Sequence, residues 1–136
     1  MTNSYVLAFD FGMRHIGVAV GQSVTGTASP LTTLRARQGK PDWEEIRHLL
    51  EQWQPTVVLV GLPLNMDDTE SEMSERARRF AANLARRSGL SILMVDERLS
   101  SFAARQTESP SSHATAAALV AETWFAEPRH GTPPGG

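Results

Sequence analysis

Three side chains far apart in the sequence, Asp10, Glu97 and His113, carry the chemistry this chain can offer. Asp10 closes the apolar run that begins at Tyr5, Glu97 follows the run Leu90 to Val95, and His113 stands ahead of an alanine-rich segment. An acid at the end of such a run costs free energy unless it is hydrated, caps a helix or is put to use. If the three positions converge, they place two carboxylates and an imidazole around one cleft. Hard divalent cations such as Mg²⁺ are held by one or two carboxylates together with water and phosphate oxygens. Two such cations about 3.5–4 Å apart activate a water and stabilise the leaving oxygen of a phosphodiester. Asp96 is the rival of Glu97, because element boundaries read from pattern shift by a few residues. An ion pair with Arg98 or Arg14 is the plain alternative use of Glu97.

Gly12 and Gly17 flank the turn beside Asp10, where a missing side chain lets a backbone or a phosphate approach. Gly21 to Thr27 has the two glycines of a phosphate-binding loop but no lysine after the second, so that reading is discarded. Arg14 and Arg98 are candidates to meet phosphate next to the acids. Arg76 and Arg79 belong to a group of five arginines, with Arg78, Arg86 and Arg87, facing only Glu72 and Glu75 on one predicted helix. That group is either a solvated face or a phosphate track.

The elements that must position these residues follow from periodicity. Tyr5 to Gly12 and Ile16 to Gly21 read as strands joined by a connection of about four residues, hence an antiparallel hairpin. Gly26 to Leu34, interrupted by Pro30, reads as a third, outer strand. Pro41 to Glu45 puts a proline and acids in the first turn of a helix whose buried face is Trp43, Ile46, Leu50 and Trp53, at helical spacing, and which ends at Pro55. Thr56 to Gly61 is a β-branched run of a strand covered on both faces. A polar loop, Asn65 to Glu70, leads to a helix over about Glu72 to Arg87 that buries Met73, Ala77, Phe80 and Leu84 and stops at Gly89. Leu90 to Val95 is the last strand. Residues 99–105 suit a short helical turn and Thr107 to Ser112 a loop. Ser112 then caps a helix from His113 to Phe125. The order β-β-β-α-β-α-β-α describes an α/β domain: a mixed five-stranded sheet, three antiparallel strands and then a parallel βαβαβ, flanked by helices. Ligands collect beyond the carboxyl ends of parallel strands, where Asp10 and Glu97 fall.

Composition limits what this domain does. The 136 residues suit one domain, expected over 1–126, with a Pro- and Gly-rich tail over 127–136 expected to be disordered. There is no cysteine, which excludes disulfides, thiolate metal sites and a catalytic thiol. No apolar run reaches the roughly 18 residues of a membrane span, and the start lacks a charged-then-apolar leader, so a cytoplasmic chain without membrane contact is expected. A formal net charge of −2 rules out binding nucleic acid through bulk charge and leaves local contacts. The basic side is arginine throughout except Lys40, and guanidinium forks match phosphate; a genomic bias toward arginine codons accounts for the same count.

Asp10-Phe11-Gly12-Met13-Arg14-His15-Ile16-Gly17-Val18-Ala19, Gly26 to Leu31, Val60-Gly61-Leu62-Pro63-Leu64-Asn65 and Asp96-Glu97-Arg98-Leu99-Ser100 together resemble the YqgF/RuvX family. Its members are ribonuclease H-like proteins described as Holliday junction resolvases and as pre-16S ribosomal RNA nucleases. The resemblance spans residues 5 to about 125. It implies a ribonuclease H-like fold, a nuclease site using Mg²⁺ or Mn²⁺, and a part in processing the 5′ end of small-subunit ribosomal RNA. It implies as partners precursor ribosomal RNA or branched DNA and, with them, ribosome-assembly intermediates. The family's first acid falls on Asp10 and its Asp-Glu-Arg-Leu motif on Asp96 to Leu99. Two departures stand out. Only Ser100 to Ser112, with Arg105 as its one cation, separates that motif from the last helix, where the family has a longer basic segment. His113 stands where the family's last helix begins with an aspartate. A neutral imidazole still ligates metal, but shifts preference from Mg²⁺ toward Mn²⁺ and softer ions. Glu122, nine residues on, lies on the far side of the helix and cannot replace it. The expectation is therefore a metal-dependent nuclease with Asp10, Glu97 and His113 at the metal. A nucleic-acid or ribosome-assembly binding protein that has lost catalysis is the alternative. An actin-like ATPase or sugar kinase would need a second such lobe, for which the chain has no room.

Overall fold

The computed structural model describes residues 4–63, 71–96 and 110–135. Its centre is β1 (Tyr5–Asp10), a strand so apolar that Val6 to Phe9 are all buried. It pairs antiparallel with β2 (His15–Gln22) on one side and parallel with β5 (Val57–Leu62) on the other. Beyond β2 lie β3 (Thr27–Arg37) and the two-residue β4 (Lys40–Pro41), and beyond β5 lies β6 (Ile92–Asp96), parallel to it. The sheet order is β4-β3-β2-β1-β5-β6. The expected five strands are therefore joined by a sixth, and β3 is covered at its far end rather than being the outermost strand. Pro30 sits at the register shift opposite Val18 and Ala19, where a missing N–H costs the ladder least.

Strand alternation sorts the side chains into two layers. Leu7, Phe9, Ile16, Val18, Leu34, Val58, Val60, Leu62 and Met94 face α1 (Trp43–Trp53) and α2 (Glu72–Ser88). Val6, Ala8, Ala19, Leu59 and Val95 face α3 (Pro110–Ala126) alone. Asp42 caps α1 by accepting the Glu44 N–H at 3.0 Å. Ser71 and Ser74 cap α2 reciprocally, and the buried Ser74 hydroxyl also donates to the Pro63 carbonyl at the end of β5. Gly89 ends α2 at φ +70°, as its place in the sequence predicts.

Two expectations need correction. The last helix starts at Pro110, not His113, so Ser112 is inside it and His113 lies one turn in; proline is well suited to a first helical position. The tail also differs from a disordered one. Pro128–His130 forms a 3₁₀ turn, Thr132 exchanges two backbone hydrogen bonds with Met94, and Arg78 donates to the Pro134 carbonyl at 2.9 Å. Gly131 lies against Trp124 and Leu93, so tertiary contacts outweigh the composition there.

Candidate active site

Asp10 is the last residue of β1 and pairs with Gly17 of β2. Paired residues project to the same face, and Gly17 faces α3 so closely that a Cβ there would overlap the His113 carbonyl and lie 2.7 Å from the Ala114 nitrogen. Asp10 therefore stands on the α3 face, at the level where the helix backbone crosses the sheet at His113. Both side chains are half-buried. The buried alanines Ala114, Ala117, Ala118 and Ala121 carry this close approach along the helix. Gly12, in the turn after Asp10, is required for a related reason: a Cβ would stand 2.5 Å from the His15 carbonyl oxygen.

The α3 face holds one further group to which the sequence reading gave no role. The His15 ring stacks on that of His113, with centroids 5.0 Å apart and planes at 22°. The period of two along β2, from His15 to Gly17, is the signal that places it there. The rival acid Asp96 separates from this face. It pairs with Leu62, a member of the core under α1 and α2, so it projects to the opposite side of the sheet from Asp10.

Glu97 and Arg98 lie outside the described residues, as do residues 99–105 and Asn65 to Glu70. Among the described residues no three His, Asp or Glu side chains stand close enough together to hold a metal ion. The donor set still fits one by its chemistry: a strand-end carboxylate and an imidazole share one face, and mixed O and N donors suit Mn²⁺ and related cations. Of the arginines, Arg14 is exposed in the turn after Asp10. Arg76 and Arg79 are on α2, across the sheet from Asp10. Arg76 is held by Glu72 at 3.0 Å, Arg86 donates to Asn83, and Arg87 lies 4.4 Å over the Trp43 ring. Local partners thus occupy much of that arginine group. On α1, Arg47 bridges Glu44 and Glu51 and, through its hydrogen bond, holds the Glu44 carboxyl below the usual carboxylate range.

The profile of the RuvX family, described as Holliday junction resolvase, matches residues 4–126. This chain belongs to the RuvX family. Two relatives called "Putative pre-16S rRNA nuclease", from Yersinia pseudotuberculosis serotype IB (strain PB1/+) and Yersinia pestis (strain Pestoides F), are each 47% identical to it over 137 residues. Each alignment covers 93% of this chain and 98% of the relative. The RuvX-family fold also superposes on that of Thermus thermophilus RuvC, with a TM-score of 0.60 at 16% identity, covering 95% of this chain and 99% of RuvC. RuvC in complex with a Holliday junction substrate gives the same score, over 96% and 99%. The ribonuclease H-like mixed sheet expected of the RuvX family is the sheet observed. Among the described residues no helix is long and apolar enough to cross a membrane.

Proposed function

We propose that this chain is a cytoplasmic, metal-dependent nuclease that hydrolyses phosphodiester bonds in the 5′-end maturation of pre-16S ribosomal RNA. The observation that carries this reading is the half-buried Asp10 carboxylate at the end of the central strand, level with His113 and on the same face. The family membership and the relatives' names support it. Asp10, Glu97 and His113 would hold a divalent cation, and the opposite projection of Asp96 favours Glu97 as the second acid. A bound cation supplies charge stabilisation to the phosphoryl oxygens and lowers the pKa of water. Asp10 would hold the cation from the end of β1, the central strand. His113, stacked on the His15 ring, would offer a nitrogen donor where a carboxylate would add negative charge. Arg14, exposed in the turn after Asp10, would meet a phosphate bound there.

The test is cleavage of end-labelled precursor ribosomal RNA and of a four-way DNA junction, with Mg²⁺ or Mn²⁺, by the native chain and by Asp10→Asn. Cutting that disappears in the variant supports the nuclease and identifies its substrate. The imidazole in place of an acid favours a second reading, a binding protein that has lost catalysis; it would bind both probes and cut neither. His113→Asp is expected to tighten Mg²⁺ binding by about tenfold, since a carboxylate adds charge and a hard donor. Calorimetry showing the same affinity in both chains removes His113 from the metal.

A further inference from the structure

We propose that the β3–β4 hairpin is a nucleic-acid arm of this protein: Arg35, Arg37 and Lys40 form a cationic strip that takes a sugar–phosphate backbone and leads it to Asp10. The direction of that lead rests on the nuclease reading; the strip itself does not.

Charge is the first ground. From Phe11 to Pro41 the chain has no acidic residue and carries Arg14, Arg35, Arg37 and Lys40, a formal +4 in a molecule whose net charge is −2. All four are exposed, and among the described residues none has a side-chain hydrogen bond or ion pair. The nearest acid in sequence, Asp42, is engaged as the cap of α1.

Register is the second. Leu34 and Ala36 pack into the core under α1 and α2, so Arg35 and Arg37 alternate to the other face, that of Asp10, His15 and His113. Arg35 pairs directly with His15, and Lys40 with Arg37. The strip therefore begins one residue pair from the His15–His113 stack and runs outward past the carboxyl end of β1. The Arg37–Lys40 pair closes a two-residue turn in which Gln38 and Gly39 have φ of 53° and 78°, the signature of a tight hairpin. Like charges directly opposite one another destabilise a sheet; an anion lying across them turns that cost into attraction.

The third ground is rigidity. Gly39 donates to the Met13 carbonyl at 2.9 Å and Ala36 to the Arg14 carbonyl at 2.8 Å. A Cβ at Gly39 would come within 2.9 Å of the Phe11 ring. The hairpin is thus fastened to the segment that directly follows Asp10, so a phosphate held on the strip has a fixed relation to that carboxylate. The arginines of α2 occupy the other side of the sheet from the site.

Binding measured without divalent cations separates this proposal from catalysis. Fluorescence anisotropy is read with a four-way DNA junction and with an RNA hairpin of equal length, over a series of salt concentrations. Each phosphate contact contributes about 0.7–0.9 to the slope of log affinity against log salt. Arg35→Gln/Arg37→Gln/Lys40→Gln is expected to lower the slope by about 2 and to weaken binding at 0.1 M salt by about tenfold or more. Arg35→Lys/Arg37→Lys should retain the slope, which a packing defect would not allow. The probe with the larger change names the backbone, RNA or DNA. An unchanged slope in the triple variant overturns the proposal, as does the same loss arising instead from Arg76→Gln/Arg79→Gln. Should the triple variant melt early, Arg37→Gln alone must still lower the slope by about 0.7–0.9. A native chain that binds but never cuts defeats the nuclease reading and leaves the hairpin standing; one that cuts, with an unchanged slope in the triple variant, does the reverse.

Discussion

Asparagine at position 10 is expected to slow single-turnover phosphodiester cleavage by about 10²–10⁴-fold, the range over which a positioned catalytic group acts. The substitution keeps the shape of the side chain and removes its charge. The backbone of residue 10 keeps its pairing with Gly17, so the melting temperature should stay within a few degrees of the native value. What is lost is the anionic donor at the end of the central strand, and with it the charge that holds a divalent cation against repulsive phosphates. The comparison that gives the result meaning is Asp96→Asn. Asp96 pairs with Leu62 and projects to the α1/α2 side, so its cleavage rate should change by less than about threefold, well below the effect of losing a positioned catalytic group. Equal losses at both positions would mean that the two faces of the sheet do not divide the acids as described, and that the site has been built from the wrong pair.

The second large effect is on stability. Gly17→Ala places a methyl group where the α3 backbone already lies, with the Ala114 nitrogen 2.7 Å away and the His113 carbonyl closer still. Flexible side chains can yield to an intruding methyl; a helix backbone seated on alanines cannot without lifting off the sheet. We expect a loss of about 3 kcal/mol, the upper end of the usual cost of overpacking a closely packed core. For a domain of this size that lowers the melting temperature by roughly 10 °C. Cleavage should fall as well, because the lifted segment carries His113. Gly26→Ala provides the control. Gly26 has a φ of +68° and open space around its Cβ position, so only backbone strain is added, about 1 kcal/mol. A Gly17→Ala protein that melts within two degrees of the native one would show that α3 is not pinned there.

Much of this was legible before any coordinates. Asp10 stood out because a charge at the end of a wholly apolar run has few places to go, and that run is the central strand. The end of α2 could be read from Gly89, whose local chemistry acts independently of tertiary packing, whereas Asp42, read as a first-turn acid, is the cap just ahead of α1. His15 was missed because a histidine in a turn looks like a surface residue until the period of two along β2 assigns it the same face as Gly17. The start of α3 was misread because Ser112 is a good cap, yet Pro110 sets the helix earlier. Arg35, Arg37 and Lys40 gave no periodic signal; only the pairing of three strands aligns them. The tail could not be read from composition, since its order comes from contacts with Trp124, Leu93 and Met94, all distant in sequence.

The same tail has a consequence for how this protein behaves at high concentration. An open sheet presents free N–H and C=O groups at its two borders, which makes those borders templates for another chain. Here the two residues of β4 cover only Ala36 and Arg37 at the end of β3, and on the other border the backbone of Met94 is already bonded to Thr132. On the β6 side Thr132 occupies both backbone hydrogen-bonding groups of Met94, in the middle of a five-residue strand, so strand addition is blocked at that border. Removing residues from Thr132 onward would uncover the β6 border, and aggregation on concentration, rather than loss of fold, is where that truncation should first be felt.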